Sequence, residues 1–430
     1  MNCENRKRPF GLCVFIALPF LLTINTGWGK PPLKHSSVLE VGSAQALKTL
    51  REALAVADSG DVLRVHPGTY PETGLVVSKP LTLRGIGKPV LDAHGLGALL
   101  VITANDVHVT GFVFKNVGIS YVRDQAALGF VNARDVRIDS NRFDHNFFSI
   151  YGARSSGAFI ENNDITGLYG HEVANGNGIH LWQCDSMTVR GNHVRGHRDG
   201  IYLEFTGNSD VTNNLAEGNI RYGLHFMFSN GSRYAANVFR NNGSGVAVMY
   251  SNKIRMEDNR FERNWGSAAY GLLCKGIEDS EVRRNVFEEN TVGIFQEGLS
   301  RVHFEGNAFI RNGWAIRILA DCDDNLYEGN RFAGNTFDVS YNSSMHNSNV
   351  FRGNSWDKYR GYDLNHDGRG DIPYRPVELQ SSLMDHYPEA LALMRSHFLT
   401  LLNLLEKQFP VLAPKSLEDD SPLFPPKAGS

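Results

Sequence analysis

A unit of about 22 residues recurs through the middle of the chain. The segments GIHLWQC, GIYLEFT, GLHFMFS and GVAVMYS begin at Gly178, Gly200, Gly223 and Gly245, so their spacings are 22, 23 and 22 residues. A fixed period in this range is typical of a solenoid, in which each repeat contacts its neighbours. Because a solenoid grows by adding turns, a single long domain is compatible with 430 residues.

An asparagine follows a short polar–apolar alternation in each unit. Forty-three glycines and many short Val, Ile and Phe runs favour β-structure with frequent turns. Asparagine tolerates the left-handed backbone of a sharp turn, and amides stacked about 4.8 Å apart can form a hydrogen-bonded ladder. We therefore assign a structural role to the repeating asparagines, which are Asn141, Asn163, Asn192, Asn214, Asn237, Asn259, Asn285, Asn307, Asn330 and Asn354. A core stack is predicted for Phe143, Phe239, Phe261, Phe287, Phe309 and Phe332.

The N-terminus has the composition of a secretory signal. Basic residues at 6–8 precede an apolar run over 10–24, and Gly27 and Gly29 supply small residues for cleavage. We predict a cleaved signal peptide over residues 1–29 and export of the protein. A membrane anchor is the alternative, although about 15 apolar residues are few for a spanning helix.

The remaining composition excludes two classes of protein. Beyond the signal, the chain keeps Cys184, Cys274 and Cys322, an odd number without CxxC spacing, which is not a disulfide framework. The formal net charge is −3 and no basic tract is present, so a nucleic-acid partner is not expected.

Helical spacing of apolar residues is confined to two segments near the ends. Residues 43–57 form an amphipathic pattern with Ser43 as the expected N-cap, and we predict that this helix covers the first turn. Residues 388–408 form a second amphipathic pattern that opens with Pro388. This helix either caps the last turn or docks on a partner.

A short acidic segment resembles a calcium loop. Asp363, Asn365, Asp367 and Asp371 have the 1, 3, 5, 9 spacing of such a loop, with a glycine at position 6. Position 12 is Tyr374, so the carboxylate that normally completes the site is missing. A glycine-rich turn without metal is the favoured interpretation, and structural calcium is the alternative.

Alternation assigns side chains to the two faces of the central strands. In GIYLEF, the residues Ile201, Leu203 and Phe205 are expected to face the core, which directs Tyr202 and Glu204 outwards. The same phase in the neighbouring units predicts one outer strip. It contains His180, Trp182, Cys184, Tyr202, Glu204, His225, Met227, Met249 and Lys275.

The composition of this strip indicates either a metal site or a contact surface. Thioether, thiol and imidazole groups suit Cu(I), and His225, Met227 and Met249 could bring two or three of them to one ion. Exposed methionine and aromatic side chains more often form a protein-contact patch. From the residues alone, partner contact is the favoured interpretation.

A polysaccharide epimerase or lyase acting on acidic sugars is the alternative function. Such chemistry needs a cation, a base and an acid in one groove. Arg198 and Asp199 can pair within one turn, and no tight cluster of acidic residues and histidine occurs in the outer strands. We therefore predict no catalytic residues. The candidates considered for these roles are Arg195, His197, Arg198, Asp199, Glu204 and Arg221.

The segments RYGLHFMFS, AAYGLLCKGIED and GYDLNHDGRGDIPYRPV resemble the NosD family, the periplasmic maturation proteins of nitrous oxide reductase. The resemblance extends from about Val41 to Leu423. The repeats alone are less specific, because polysaccharide lyases and epimerases share them. Cys274 stands where an aliphatic residue is usual, and we expect it to point inwards.

The resemblance implies a right-handed, single-stranded parallel β-helix in the periplasm, seated on an ABC transporter of permease and ATPase subunits. It also implies a role in assembling the copper centres of nitrous oxide reductase beside a copper chaperone lipoprotein. The strip is then expected to contact the chaperone or the reductase and to bind copper transiently. We expect a β-helix with its N-terminal cap over residues 30–356. A loop, an amphipathic helix and a Pro-rich tail are expected over 357–430.

Overall fold

Each repeat folds into one turn of a right-handed parallel β-helix, as predicted from the period and the family resemblance. Short runs of β-branched and aromatic residues form the strands, because such side chains pack well on a pleated surface. Each regular turn contributes one strand to each of three parallel sheets. The computed structural model describes residues 36–120, 122, 125–170, 172, 175–266, 268–319, 321–342, 348–387, 389, 396–409 and 417–423. The predicted signal peptide lies outside the described residues.

The first sheet has 14 strands. In spatial order they are β1 Val38–Val41, β2 Val62–Val65, β5 Thr82–Gly85, β8 His108–Thr110, β11 Arg137–Asp139, β14 Phe159–Glu161, β17 Thr188–Arg190, β20 Asp210–Thr212, β23 Arg233–Ala235, β26 Arg255–Glu257, β29 Glu281–Arg283, β32 His303–Glu305, β35 Leu326–Glu328 and β38 Val350–Arg352.

The second sheet has 13 strands. They are β3 Thr69–Tyr70, β6 Val90–Asp92, β9 Val113–Lys115, β12 Arg142–Asp144, β15 Asp164–Thr166, β18 His193–Arg195, β21 Leu215–Glu217, β24 Val238–Arg240, β27 Arg260–Glu262, β30 Val286–Glu288, β33 Ala308–Ile310, β36 Arg331–Ala333 and β39 Ser355–Trp356.

The third sheet has 12 strands and carries the predicted strip. They are β4 Leu75–Val77, β7 Leu100–Ile102, β10 Ala126–Val131, β13 Phe148–Ala153, β16 Ile179–Trp182, β19 Asp199–Glu204, β22 Tyr222–Met227, β25 Ser244–Met249, β28 Tyr270–Lys275, β31 Val292–Glu297, β34 Trp314–Leu319 and β37 Phe337–Asn342.

The repeating asparagines form the predicted amide ladder inside the coil. The backbone N–H and the Nδ2 group of Asn214 both donate to Oδ1 of Asn237, at 2.9 and 3.0 Å. The same Nδ2 group donates to the backbone oxygen of Val189 in the preceding turn at 2.9 Å. Each amide thus joins three turns. The left-handed residue is the one before the ladder asparagine, such as Asn213 (φ 55°), so the prediction that the ladder asparagine itself is left-handed is wrong.

Five of the six predicted phenylalanines form one stack in the core, whereas Phe143 stacks separately on Phe114, with centroids 5.0 Å apart. From Phe239 to Trp356 the rings of successive turns have centroids 4.0 to 5.5 Å apart. All of these rings are at most 1% exposed. A second asparagine ladder runs in parallel, five residues after the first, through Asn219, Asn242, Asn264, Asn290, Asn312 and Asn335.

The N-terminal helix differs from the predicted one, whereas the helix predicted over 388–408 is found over residues 397–408, and residues 388 and 390–395 lie outside the described part of the chain. Helix α1 is Leu50–Val56, and its N-cap is Thr49, which forms a capping box with Glu52, so Ser43 is not the cap. Near the other end lie α2, Leu379–His386, and α3, His397–Gln408. Helix α2 was not predicted, because its sequence is largely polar.

The C-terminal segment closes the ladder. Oδ2 of the buried Asp419 accepts hydrogen bonds from the backbone N–H and Nδ2 of Asn354, the last ladder residue, at 3.0 and 2.9 Å. The carboxylate also accepts from the N–H of Gly353 and from Nε1 of Trp356, both at 3.0 Å. Among the described residues, no helix has the length and apolar character needed to cross a membrane.

We predict that Asp419→Ala destabilises the last turns of the coil. The substitution leaves several buried N–H groups without an acceptor, and each such group costs about 1–3 kcal/mol. Asp419→Asn, which keeps one oxygen, should be less harmful. The measurement is the free energy of unfolding in urea, with Asp420→Ala as the control because Asp420 is exposed. Equal stability of the Asp419→Ala and Asp420→Ala variants would contradict this role of the carboxylate.

Candidate functional site

A column of aromatic rings lies on the outer face of the third sheet. The strand register places His180, Tyr202 and His225 opposite one another in successive turns. Their rings stack, with centroids 4.7 Å apart between His180 and Tyr202 and 4.5 Å apart between Tyr202 and His225. The structure therefore brings these three predicted strip residues together.

The column is covered, whereas the sequence predicted a solvent-facing strip. His180, Tyr202 and His225 are 9%, 8% and 5% exposed. Phe148 and Tyr151 pack against the His180 ring at 5.8 and 5.2 Å. Although these three side chains point away from the core, stacking and the two aromatic neighbours shield them from water.

A second, half-exposed column runs beside the first. The hydroxyl of Tyr202 donates a hydrogen bond to Sδ of Met227 at 3.6 Å and so links the two columns. Oε2 of Glu204 lies 3.7 Å from Nε2 of His180. The second column consists of Trp182, Glu204, Met227, Met249 and Lys275.

Cys184 and Phe205 lie on the sides opposite to those predicted. Gln183 and Phe205 have φ angles of 51° and 50°, so the backbone becomes left-handed where β16 and β19 end and the alternation stops there. Cys184 is 4% exposed and joins the core, and burial raises the pKa of its thiol to about 11. Phe205 is 48% exposed. Cys184 therefore does not belong to the outer strip.

A buried ion pair lies beside the aromatic column. The carboxylate of Asp199 is fully buried and accepts hydrogen bonds from Arg221, with Nε 2.8 Å from Oδ1. Nδ1 of His225 lies 3.6 Å from Oδ2 of Asp199. Burial alone would raise the pKa of Asp199, but its contacts with Arg221 and His225 lower that pKa to about 2. The expected pairing of Asp199 with Arg198 is wrong, because the charge partner comes from the next turn.

The charges of the site follow from these contacts. Burial and the negative charge of Glu204 raise the pKa of Tyr202 to about 12, so this residue is a neutral hydrogen-bond donor at pH 7. The contact with His180 lowers the pKa of Glu204 against the opposing effect of burial. Asp199 and Glu204 are therefore both carboxylates at neutral pH.

The two histidines of the column are unusual among buried polar groups. Within the described part of the chain, neither nitrogen of His180 or of His225 has a partner at hydrogen-bond distance, and the nearest carboxylates, of Glu204 and Asp199, lie 3.7 and 3.6 Å from one nitrogen of each ring. Unpaired buried polar atoms are uncommon and call for an explanation such as a bound water or ion. Because Tyr202 lies between the two rings, the imidazoles are about 9 Å apart. A single ion cannot reach both, since metal–nitrogen bonds are about 2 Å long.

Of the residues considered for an enzymatic groove, Asp199 and Arg221 form the buried ion pair, but Arg195 and His197 do not join it. Arg195 lies in β18 of the second sheet and pairs with Asp164 at 2.7 Å. His197 is fully buried between Ser149 and the Gly176 carbonyl, and burial lowers its pKa to about 4. Across the described ranges, no three histidine, cysteine or carboxylate side chains cluster as ligands of one ion.

The acidic loop at 363–371 is closed by its own hydrogen bonds. The carboxylate of Asp363 accepts from the N–H groups of Asp367 and Gly368, at 3.2 and 2.9 Å. Oδ2 of Asp371 accepts from the N–H of Leu364 at 2.7 Å. The side chains of Asn365 and Asp367 contact each other at 3.1 Å. These contacts account for a stable turn, and calcium binding here stays the untested alternative.

Solved structures with a similar backbone show the same fold at low sequence identity. A family 28 exopolygalacturonase of Yersinia enterocolitica has a TM-score of 0.58 at 11% identity, covering 75% of this chain and 79% of that chain. The catalytic domain of a GH87 α-1,3-glucanase has a TM-score of 0.56 at 12% identity, covering 75% of this chain and 69% of that chain. At these identities the likeness concerns the β-helix alone.

Sequence relatives are much closer. Residues 165–361 match the family described as "Periplasmic copper-binding protein (NosD)". A protein of Stutzerimonas stutzeri, named "Probable ABC transporter binding protein NosD", is 30% identical over 403 residues, covering 89% of this chain and 91% of the relative. A protein of Pseudomonas aeruginosa with the same name is 31% identical over 367 residues, covering 81% of this chain and 85% of the relative. The chain therefore belongs to the NosD family of periplasmic proteins.

Proposed function

We propose that this protein supports assembly of the copper centres of nitrous oxide reductase. In this proposal it is the periplasmic subunit of an ABC transporter complex and a scaffold for a copper chaperone lipoprotein and the reductase. The description of its family as copper-binding and the names of its relatives support this role. The observation that carries the proposal is the candidate site, where the thioethers of Met227 and Met249 lie in register on successive turns and the buried His225 precedes Met227 by two residues.

The spacing of the turns favours Met227 and Met249 as the pair that binds copper transiently. Adjacent parallel strands are about 4.8 Å apart, and a metal–sulfur bond is about 2.3 Å long. Two thioethers on adjacent turns can therefore hold one ion between them, and soft sulfur ligands suit Cu(I). His225 precedes Met227 by two residues on the same outer face, so it is the imidazole nearest to this pair along the strand.

We assign His180, Trp182, Tyr202 and Glu204 to partner contact. Trp182 and Glu204 are half-buried, and the guanidinium of Arg154 lies 5.6 Å from the Trp182 ring. Half-exposed aromatic side chains are enriched where proteins bind one another. The buried His180 and Tyr202 lie in the column beside this surface and support it through their contacts with Glu204 and Met227.

A binding role explains the residues of the candidate site better than catalysis on acidic sugars does. A carboxylate with the low pKa of Asp199 is a weak base, and both of its oxygens contact Arg221. His197 is fully buried, and Arg195 lies in the second sheet, so neither residue lines a groove with Asp199. We therefore propose no enzymatic activity, in agreement with relatives that are named binding proteins.

The exposed face of α3 is the proposed contact with the transporter permease. At the edge of this face, Leu402 packs with Met384 of α2 and with Phe337 of β37. The helix has one basic residue, Lys407, so it has little attraction for an anionic lipid surface, and an apolar groove in a protein is the better complement. The exposed apolar residues are Phe398 (61%), Leu401 (55%), Leu404 (54%), Leu405 (39%) and, just beyond the helix, Phe409 (57%).

We predict that Met227→Leu combined with Met249→Leu lowers Cu(I) affinity. Leucine keeps the volume of the side chain but removes the sulfur ligand. The expected loss is at least roughly tenfold, since even the outer-shell partners of metal sites contribute that much. Competition with a chromophoric Cu(I) chelator under anaerobic conditions measures the affinity, and the copper content of nitrous oxide reductase measures the consequence. Adding His225→Ala should lower both further.

Met256→Leu is the matched control for these methionine substitutions. Met256 is fully buried in β26 of the first sheet, away from the site, so its sulfur cannot serve as a ligand. Unchanged copper content of the reductase in the triple variant would remove copper transfer from the proposal.

We predict that Phe398→Ser, Leu401→Ser and Leu405→Ser together weaken association with the permease. The three side chains are exposed, so their loss should change stability by only about 0.5 kcal/mol each. Co-purification with the permease from solubilised membranes measures the association. Val76→Ser with Leu96→Ser is the control, because these residues are 52% and 63% exposed at the other end of the coil. Deleting the chain from α3 onwards is a poorer test, because the deletion also removes Asp419, which closes the asparagine ladder. Undiminished recovery of the permease would mean that α3 only caps the coil.

A further inference from the structure

Three exposed aromatic residues form a ladder beside the candidate site. Phe205, Phe228 and Tyr250 are 48%, 40% and 45% exposed. Their rings stack almost in parallel, with centroids 5.0 and 5.3 Å apart and interplanar angles of 7° and 17°. We call these three residues the aromatic ladder.

The aromatic ladder occupies backbone positions that do not favour aromatic residues. Phe205, Phe228 and Tyr250 have φ angles of 50°, 51° and 50°, in the left-handed region that bulky side chains rarely adopt. In the next two turns the same position is Gly276 and then Gly298, with φ angles of 60° and 66°. The coil therefore accepts glycine here, and the turn itself does not require the three aromatic side chains.

The stacked arrangement leaves ring edges available for a partner. The rings of Phe205 and Tyr250 cover both faces of the Phe228 ring. Tyr250 is also packed over Gly276, where an added Cβ would lie 2.9 Å from the ring. Ring edges carry partial positive charge and accept aliphatic, carbonyl and thioether neighbours. Sugar rings bind by stacking on an aromatic face. Both faces of the Phe228 ring are already covered, so it cannot bind a sugar in this way.

The aromatic ladder is continuous with the proposed copper-binding pair. Phe228 directly follows Met227, and Tyr250 directly follows Met249. A protein that delivers copper by ligand exchange must bring its own ligands within bonding distance of these two sulfurs. Its surface then necessarily covers the adjacent column. Glu204 is the one charged side chain among the residues Trp182, Glu204, Phe205, Met227, Phe228, Met249 and Tyr250. Lys275, which lies opposite Met249 in the next turn, is paired with Glu297 at 2.8 Å.

We propose that the aromatic ladder anchors the copper-donating protein over Met227 and Met249. The complementary surface is a protein patch of aliphatic and thioether side chains, with a single positive group opposite Glu204. This inference rests on the proposed function. Aromatic residues commonly dominate the energy of such contacts, while their neighbours exclude water.

The test replaces Phe205, Phe228 and Tyr250 together by glycine. The probe is the soluble domain of the copper chaperone lipoprotein, loaded with Cu(I), and its affinity is measured by biolayer interferometry. We expect binding to weaken by roughly tenfold or more. The thermal unfolding midpoint should change little, because glycine suits the left-handed backbone. Gln183→Gly is the matched control, since Gln183 lies in the same column with a φ of 51°.

A second variant keeps the inference testable if the glycine variant does not fold. Phe205→Asn, Phe228→Asn and Tyr250→Asn together should also weaken binding, because asparagine tolerates the left-handed region. If the wild-type protein binds the chaperone and both variants bind it equally well, this inference is wrong and the proposed function stands. If the wild-type protein does not bind the chaperone, both this inference and the proposed function are wrong. A wild-type dimer that dissociates in the variants would assign the ladder to a second copy and overturn the inference.

Discussion

The stacking of buried asparagine amides is the interaction on which the rest of the structure depends. Sharp turns leave backbone N–H groups inside the coil, and an unpaired buried N–H is costly. Each ladder asparagine supplies an acceptor to the preceding turn while its own Nδ2 group bonds on both sides. A ladder of this kind must still end, and Asp419 provides the final acceptor. The C-terminal segment is therefore part of the coil's own hydrogen bonding.

Strict register converts a linear repeat into columns of side chains. Residues 22 or 23 positions apart become neighbours, so His180, Tyr202 and His225 stack although they are distant in sequence. Each ring then covers the next, which explains why imidazoles and a phenol on an outer face are less than a tenth exposed. The same register keeps the two imidazoles two turns apart, whereas Met227 and Met249 lie on adjacent turns.

Repeated features could be read from the sequence, and features that occur once could not. The period, the ladder asparagines and the phenylalanine stack recur in many turns, so each copy supports the others. Asp419 bonds to a residue 65 positions away, and no periodic signal marks it. The contact of Asp199 with Arg221 is diagonal, because the register places Tyr222 opposite Asp199, so the period alone does not predict it. Phe205 was misassigned because alternation ends at a left-handed residue, and Gly276 and Gly298 were the available signal.

Departures from the regular turn gather in the turns that hold the candidate site. His197 stands at a position of the second ladder where the following turns have asparagine. A longer connection between β15 and β16 and the left-handed aromatic residues occur in the same stretch. The first amide ladder, however, continues through these turns without interruption, from Asn141 to Asn354. Natural proteins depart from local consistency mainly at functional sites. The ladder thus stabilises the central turns as well as the later ones, and the departures beside it are where selection for a partner or a metal best explains the residues.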